Sequence, residues 1–466
     1  MMNGTIKKTI AGLAVLTMAV SAFAGCENNN DTPTAENQSY KVSEESDAKS
    51  GSTEKADKGT DKSISSNTEK LSYSGGAPII ADTASLFSER DLEQTADTSE
   101  AEKLTVSDGK TLDITEAGVY IISGSAKNCT VKVDADKDAK VQLVLDGVEI
   151  ENDDFPAIYV LSADKVFVTS AGSDNTLAVN DSFRADGDTD TDAVIFSKDD
   201  LVLNGTGTLT VYSAYANGIS CKDDLKITGG TYDVTASQDA FEANDSISVS
   251  GGDFIITTNK DGFHCENDED DFLGSIYIAD GSFGINAGSD GIQATTFIQI
   301  DGGTFDLTSA EGLEATYIQI NGGKINISAS DDGINASEKS TACDIIVEFN
   351  GGSTTITVGQ GDTDGVDANG SIYVNGGTID VTAQMSSFDY DQTAEFNGGT
   401  IIVNGEEVSE IPRSMMGGPG GGRGGFQGGP GSGHGSSRGF GGQNGSEGFG
   451  MPDDFGGSGD PWYNNG

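Results

Sequence analysis

A turn glycine followed by an alternating apolar strand recurs along this chain at a basal interval of about 22 residues. The turn glycines take equivalent places in successive units: Gly207, Gly230, Gly252, Gly281, Gly303, Gly323, Gly352, Gly377 and Gly399. The period is too short for ankyrin, tetratricopeptide or propeller units, and apolar residues alternate with a spacing of two rather than a helical spacing. The repeat therefore predicts an array of short, stacked β-strands.

Each unit carries three apolar stretches, which predicts three short strands per repeat. One precedes the glycine turn, as in Ile298–Ile300, one follows it, as in Phe305–Leu307, and the third follows an acidic or amide residue, as in Asp290–Ala294. Three strands that each stack on their equivalents form an all-β, right-handed parallel β-helix solenoid with about 4.8 Å between coils. We expect this domain to span residues 104–412, with less regular first coils, and an N-terminal cap at 76–103.

Both ends of the chain differ from the repeat. Lys7 and Lys8, an apolar run and then Cys26 are typical of a lipoprotein signal at residues 1–25, with Cys26 lipidated; an ordinary signal cleaved near Ala24 is the alternative. Polar residues 26–75 predict a disordered tether, and glycine-rich residues 413–466 a disordered tail. We therefore expect an extracellular protein, anchored to the cell membrane only through lipid.

The chain is strongly acidic, with 26 Lys and Arg against 75 Asp and Glu, a formal charge of -49. Phosphate backbones would be repelled, so the charge excludes a nucleic-acid reader and favours divalent cations as partners.

Carboxylates recur at the start of the third stretch, with a second acid or amide three residues later. Stacking them at one strand spacing is unfavourable unless a cation lies between them or some are protonated. Calcium, with six to eight oxygen ligands, fits such a column, although Asp-Gly is also ordinary turn chemistry. The candidate calcium ligands are Asp239, Glu242, Asp261, Asp290, Asp332, Asp364 and Asp367, and the column also contains Glu311 and Glu314.

Aromatic side chains provide candidate carbohydrate contacts. Counting from the glycine turn places Tyr277 and Tyr373 in one solvent-facing row with Gln299, Gln319, Glu348 and Glu395, and Phe297 and Tyr317 one corner away. Aromatic faces flanked by amides and acids can stack on and hydrogen-bond sugars.

The Asp-Gly-Ile rungs, and the entry at Ile114–Gly124, resemble the carbohydrate-binding β-helix family of clostridial surface proteins, across residues 104–404. That family is pectate-lyase-like in fold and calcium sites but is described as binding polysaccharides, including cellulose and polygalacturonate, without cleaving them. The resemblance implies calcium at the Asp-Gly rungs and a polysaccharide partner, uronate-containing or cellulosic. We expect a monomer.

Three functions stay open: a calcium-dependent polysaccharide-binding module, a calcium-dependent polysaccharide lyase, and a surface adhesin or spacer. A lyase needs a basic residue to abstract a proton, yet residues 185–412 contain no Arg. Lys260, directly before Asp261, is the candidate lyase base, and a lysine that neutralises an acidic face is the simpler interpretation. Binding is favoured over catalysis.

Overall fold

The structure is a computed structural model that describes residues 69–361 and 363–413, all of which belong to one unit, residues 59–466. The expected signal peptide, the lipidation site Cys26, the tether up to residue 68 and the tail from residue 414 lie outside the described residues. No described helix is long and apolar enough to cross a membrane.

The described residues form 36 β-strands and one short 3-10 helix, Thr83–Leu86. The strands fall into three series according to their pairing. The first series contains β1 (Glu102–Thr105), β3 (Gly118–Lys127), β5 (Lys140–Asn152), β7 (Lys165–Ser170), β10 (Asp200–Gly205), β13 (Asp224–Ile227), β16 (Ser246–Val249), β19 (Ser275–Ile278), β22 (Phe297–Ile300), β25 (Tyr317–Ile320), β28 (Ile346–Phe349), β31 (Ser371–Val374) and β34 (Ala394–Phe396).

The other two series follow the first within each repeat. The second series contains β8 (Asp174–Val179), β11 (Thr208–Ser213), β14 (Thr231–Ala236), β17 (Asp253–Thr258), β20 (Ser282–Asn286), β23 (Thr304–Ser309), β26 (Lys324–Ala329), β29 (Ser353–Val358), β32 (Thr378–Thr382), β35 (Thr400–Val403) and β36 (Glu406–Val408). The third contains β2 (Thr111–Ile114), β4 (Thr130–Asp134), β6 (Ile158–Ser162), β9 (Ala193–Ser197), β12 (Asn217–Cys221), β15 (Phe241–Ala243), β18 (Phe263–Cys265), β21 (Asp290–Ala294), β24 (Glu311–Ala315), β27 (Ile334–Ala336), β30 (Asp364–Ala368) and β33 (Ser386–Tyr390).

Strand pairing is parallel and, from β7 onward, repeats every three strands, as in β11 with β14, β12 with β15 and β13 with β16. The first and second series form one 24-stranded sheet and the third forms a 12-stranded sheet. Within the described part of the chain, the final pair, β35 with β36, is antiparallel. The prediction of an all-β chain built from stacked parallel strands is confirmed.

Inward side chains of successive repeats stack on one another and form a continuous apolar core. The rings of Phe254, Phe283 and Phe305 are stacked, with centroids 4.7 and 4.4 Å apart. Cys221 and Cys265 are buried, unbonded thiols on either side of Ala243 in the same column. This core holds the outward side chains at regular intervals of about one strand spacing.

Residues 69–94, here called the N-terminal strap, run along the outer side of the first series. The backbone N–H of Leu71 donates to the Ala342 carbonyl at 2.7 Å, and Gln94 Nε2 donates to the Thr228 carbonyl at 3.0 Å. Apolar strap residues pack against the outward side chains beneath them: Leu71, Tyr73, Ile79, Ile80, Leu86 and Phe87. Within the segment 76–103, for which a cap is predicted, the side chains of Ile79, Ile80, Leu86 and Phe87 thus lie along the sheet.

Candidate functional site

The acidic column lies where the second series turns into the third, and its carboxylates first serve the backbone. Oδ1 of Asp239 accepts the N–H of Asp261 at 3.0 Å, and Oδ1 of Asp261 accepts the N–H of Asp290 at 2.9 Å. Further along, Oδ1 of Asp332 accepts the N–H of Asp364 at 2.7 Å. One oxygen of each of these carboxylates therefore accepts a backbone hydrogen bond from the next repeat. These residues thus have a structural role in the turns, as Asp-Gly turn chemistry predicts.

The predicted ligands Asp239 and Asp261 lie together, with His264 beside them. His264 Nδ1 is 2.7 Å from Asp261 Oδ2 and 3.8 Å from Asp239 Oδ2, and Lys260 Nζ is 3.3 Å from Asp239 Oδ2. Burial lowers the pKa of His264, but the hydrogen bond to Asp261 and the charges of both aspartates raise it to about 9. The imidazolium form therefore predominates at neutral pH, and this rung carries its own cations.

Glu242, also a predicted calcium ligand, is bound by a lysine instead of joining Asp239 and Asp261. Lys222 Nζ lies 3.2 Å from Glu242 Oε1 and 3.2 Å from Asp192 Oδ2. Asn217 Nδ2 donates to Glu242 Oε2 at 2.6 Å. Its negative charge is thus compensated within the chain.

Asp290, Glu311 and Glu314 bring one carboxylate oxygen each within 4.8 Å of the other two. Burial, followed by the nearby acids Asp261 and Glu314, raises the pKa of Asp290 to about 8. Burial and Glu314 raise the pKa of Glu311 to about 7. Lys339 Nζ lies 2.9 Å from Glu314 Oε2. This single ammonium group does not balance the negative charge of three ionised carboxylates. Three converging carboxylate oxygens, with the pKa raised at Asp290 and Glu311, suit a hard divalent cation.

Asp332, Asp364 and Asp367 lie further along the same column. Burial and the charges of Asp332 and Asp364 raise the pKa of Asp367 to about 7. Asn335, which pairs with Asp367 in the ladder, has a buried Oδ1 without a hydrogen-bond partner. An amide oxygen of this kind is a suitable additional calcium ligand.

A further acidic group, Asp200, Asp223 and Asp224, lies at the entry to the first series. Burial and Asp224 raise the pKa of Asp200 to about 7, and burial and Asp224 raise that of Asp223 to about 6. This group was not predicted, nor were the charge-compensating roles of His264, Lys222 and Lys339. The recurring Asp-Asp and Asn-Asp pairs before the first-series strands were the available signal.

The aromatic row predicted to face solvent is covered. Tyr277, Phe297 and Tyr317 are buried beneath the N-terminal strap, and Tyr373 stacks on Tyr73 with ring centroids 3.6 Å apart. The backbone N–H groups of Ile79 and Ile80 donate to the side chains of Gln319 and Gln299. The residues do form the predicted ladder, but its solvent exposure was predicted wrongly, because a distant segment binds the row. In this arrangement the rings of Tyr277, Phe297 and Tyr317 are not presented to solvent.

The exposed aromatic side chains lie elsewhere among the described residues. Tyr212 lies near the end of β11 on the outer face of the second series, and Tyr215 lies on the turn that follows β11. Alternation with buried Leu209 and Val211 is the sequence signal that points Tyr212 outward.

A family model described as "Carbohydrate-binding domain-containing protein" matches residues 108–365 of this chain. The chain belongs to this carbohydrate-binding family. A relative of the same description from Acetivibrio thermocellus is 43% identical over 201 residues, which cover 42% of this chain and 70% of the relative.

A solved structure of the polysaccharide lyase-like protein from C. thermocellum, a gadolinium derivative, is 31% identical to this chain. It aligns with a TM-score of 0.42 and covers 46% of this chain and 92% of that one.

The part of the chain matched to the carbohydrate-binding family contains the acidic column from Asp239 to Asp364. Asp367 and Tyr373 lie beyond it. The group at Asp290, Glu311 and Glu314 is thus within the region matched to the family.

Proposed function

We propose that this member of the carbohydrate-binding family is a calcium-dependent polysaccharide-binding protein of the cell surface. The observation that carries the proposal is the convergence of Asp290, Glu311 and Glu314 within the family-matched region. The partner is a polysaccharide of uronate-containing or cellulosic type. Lipid on Cys26 would hold the protein, as a monomer, outside the cell membrane.

The architecture that we propose for residues 104–412 is a right-handed parallel β-helix. Parallel pairing that recurs every three strands supports it, since each chain segment then returns to the same sheet one strand spacing further along. Right-handed crossovers are the rule for parallel strands. Such an array would present the acidic column as one continuous line.

Calcium would be held by Asp290, Glu311 and Glu314, and a second ion by Asp332, Asp364 and Asp367 with the Asn335 amide oxygen. The residues fit the ion because their oxygens are hard ligands and because burial and like charge disfavour the ionised forms of Asp290, Glu311 and Asp367 without a cation. When bound, calcium would supply positive charge, which could stabilise the stacked repeats or meet a uronate carboxylate.

The rungs at Asp239 and Glu242 are weaker candidates for calcium. His264, Lys260 and Lys222 already compensate their charge. A divalent ion would have to compete with these side chains. We therefore place the calcium-dependent part of the column after residue 290.

A polysaccharide lyase is the second candidate, because the side chain of Lys260 is half exposed beside Asp239. In this function Lys260 would take a proton from a uronate. Its short distance to Asp239 equally supports simple charge compensation, so binding remains our first choice. An adhesin or spacer without glycan affinity is the third candidate.

Retention on polygalacturonate and on cellulose, each with calcium and with EDTA, tests the proposal. The absorbance of unsaturated uronates is read in the same samples. Calcium-dependent retention without new absorbance is the expected result. Rising absorbance that Lys260→Ala abolishes would identify a lyase, and no retention on either polymer would favour an adhesin or spacer.

A further inference from the structure

The outer face of the second series is an uncovered, regular surface. From β17 to β29, side chains along each strand alternate between the apolar core and the surface, and most outward positions are exposed. The strap covers the first series, whereas this neighbouring face keeps its outward side chains in contact with solvent. Its rows repeat at about one strand spacing, 4.8 Å, which suits a polymer with a regular repeat.

One row of this face, here called the hydroxyl row, consists of uncharged, exposed residues: Tyr212, Thr235, Thr257, Asn286, Thr308, Ser328, Thr357 and Thr382. An uncharged row of this length is notable in a chain with a net charge of -49. Hydroxyl and amide groups both donate and accept hydrogen bonds, as the hydroxyls of a sugar do.

Gly284 lies in the next row of the same face, between Ile255 and Asp306. Its φ is not in the left-handed region, and a Cβ there would meet only the carbonyl oxygen of Phe254, at 3.6 Å. The fold therefore does not require glycine, although glycine weakens a strand. A glycine without a structural reason in a strand interior is typical of a place where a ligand approaches closely.

The same face also presents exposed apolar side chains. Ile255 is 60% exposed and Tyr212, at the end of the hydroxyl row, is 43% exposed. A surface groove, lined in part by Asp253 and Ser282, adjoins the same two strands, β17 and β20. The face thus combines the hydrogen-bonding groups of the hydroxyl row with exposed apolar side chains and a groove.

We propose that this face is the surface on which a polysaccharide chain docks, and that the chain is uncharged. The proposal rests on the proposed polysaccharide-binding function and names its surface and ligand class. Asp233, Asp253 and Asp306 on the face would repel a polyuronate, whereas a neutral glycan meets hydroxyls, amides and two apolar side chains. The polysaccharide packs against the protein surface at Gly284, where a protein side chain would block its approach.

The test uses the full-length protein, with insoluble cellulose as the neutral glycan and polygalacturonate as the acidic one. Gly284→Thr gives this position the same side chain as Thr355 in its row, and it favours a strand, so the thermal midpoint is expected to stay or rise. Retention on cellulose is expected to fall about tenfold for Gly284→Thr and for Tyr212→Ala. Leu92→Ala removes a similarly exposed apolar side chain from the strap and should change nothing.

The calcium-induced rise in thermal midpoint should be the same in Gly284→Thr as in the wild type, which separates this surface from the acidic column. If the wild type is retained on cellulose and both face variants are retained equally well, the docking surface is wrong while the polysaccharide-binding function stands. Retention on polygalacturonate alone also overturns the inference. Failure of the wild type on both polymers overturns the proposed function and this surface together.

Discussion

His264 Nδ1 lies 2.7 Å from Asp261 Oδ2 and 3.8 Å from Asp239 Oδ2. An imidazolium therefore occupies the place between two stacked carboxylates where a metal ion would otherwise balance the charge. In the next two repeats, Asp290, Glu311 and Glu314 converge, with the Lys339 ammonium beside Glu314 and the Asn335 amide beside Glu311. The acidic column thus changes from internally compensated rungs to rungs that favour a bound cation.

His264→Gln tests the compensated rung. The folded-state pKa of His264, about 9, is above its ordinary value of 6.5, so its stabilising effect is complete below pH 6.5 and is lost as pH rises through 9. The variant should melt lower than the wild type by about 3 °C or more at pH 6, and the difference should vanish by pH 10. Thermal melts followed by circular dichroism at several pH values measure this. A difference that is constant with pH would contradict the ion pair.

Glu311→Gln should weaken calcium binding, because it removes one of three converging carboxylates. We expect a calcium affinity about tenfold lower or worse, and a smaller calcium-induced rise in thermal midpoint. Glu242→Gln is the matched control, since Lys222 already compensates that glutamate. Equal effects of the two substitutions would show that the ion lies elsewhere.

Without calcium, the thermal midpoint should fall as pH rises from 5 to 8. Asp290, Glu311 and Asp367 have folded-state pKa values of about 8, 7 and 7, above those of unfolded carboxyls. The native state then binds more protons than the unfolded state in this window, so deprotonation destabilises it. Saturating calcium should flatten the dependence. A midpoint in EDTA that rises over this range would contradict the raised pKa values.

Asp91→Asn should destabilise the protein through the N-terminal strap. Asp91 is fully buried, with Lys165 Nζ at 3.5 Å and Lys226 Nζ at 4.0 Å. Removing one member of a buried ionic group typically costs about 3–5 kcal/mol. We expect faster proteolysis within residues 69–94 and a lower thermal midpoint. The exposed Glu89→Gln in the same segment is the control, and equal protease sensitivity of the two variants would argue against this anchoring.

The repeat made the strands predictable, because turn glycines and alternation are local signals that recur in register. The burial of Tyr277 and Tyr317 was not predictable in this way, since the strap that covers them is more than 180 residues away and has no repeat. The acidic column followed from Asp-Gly spacing. Its division into compensated and uncompensated rungs depends on how far Lys222, Lys339 and His264 reach, which spacing alone does not determine.

Calcium titration by calorimetry, with and without soluble polysaccharide, tests the central claim most directly. If glycan binding depends on calcium, each ligand must tighten the other by the same factor. The account predicts calcium binding that is tighter in the presence of glycan and weakened in Glu311→Gln. Calcium binding that the glycan leaves unchanged, or no calcium binding at all, would contradict it.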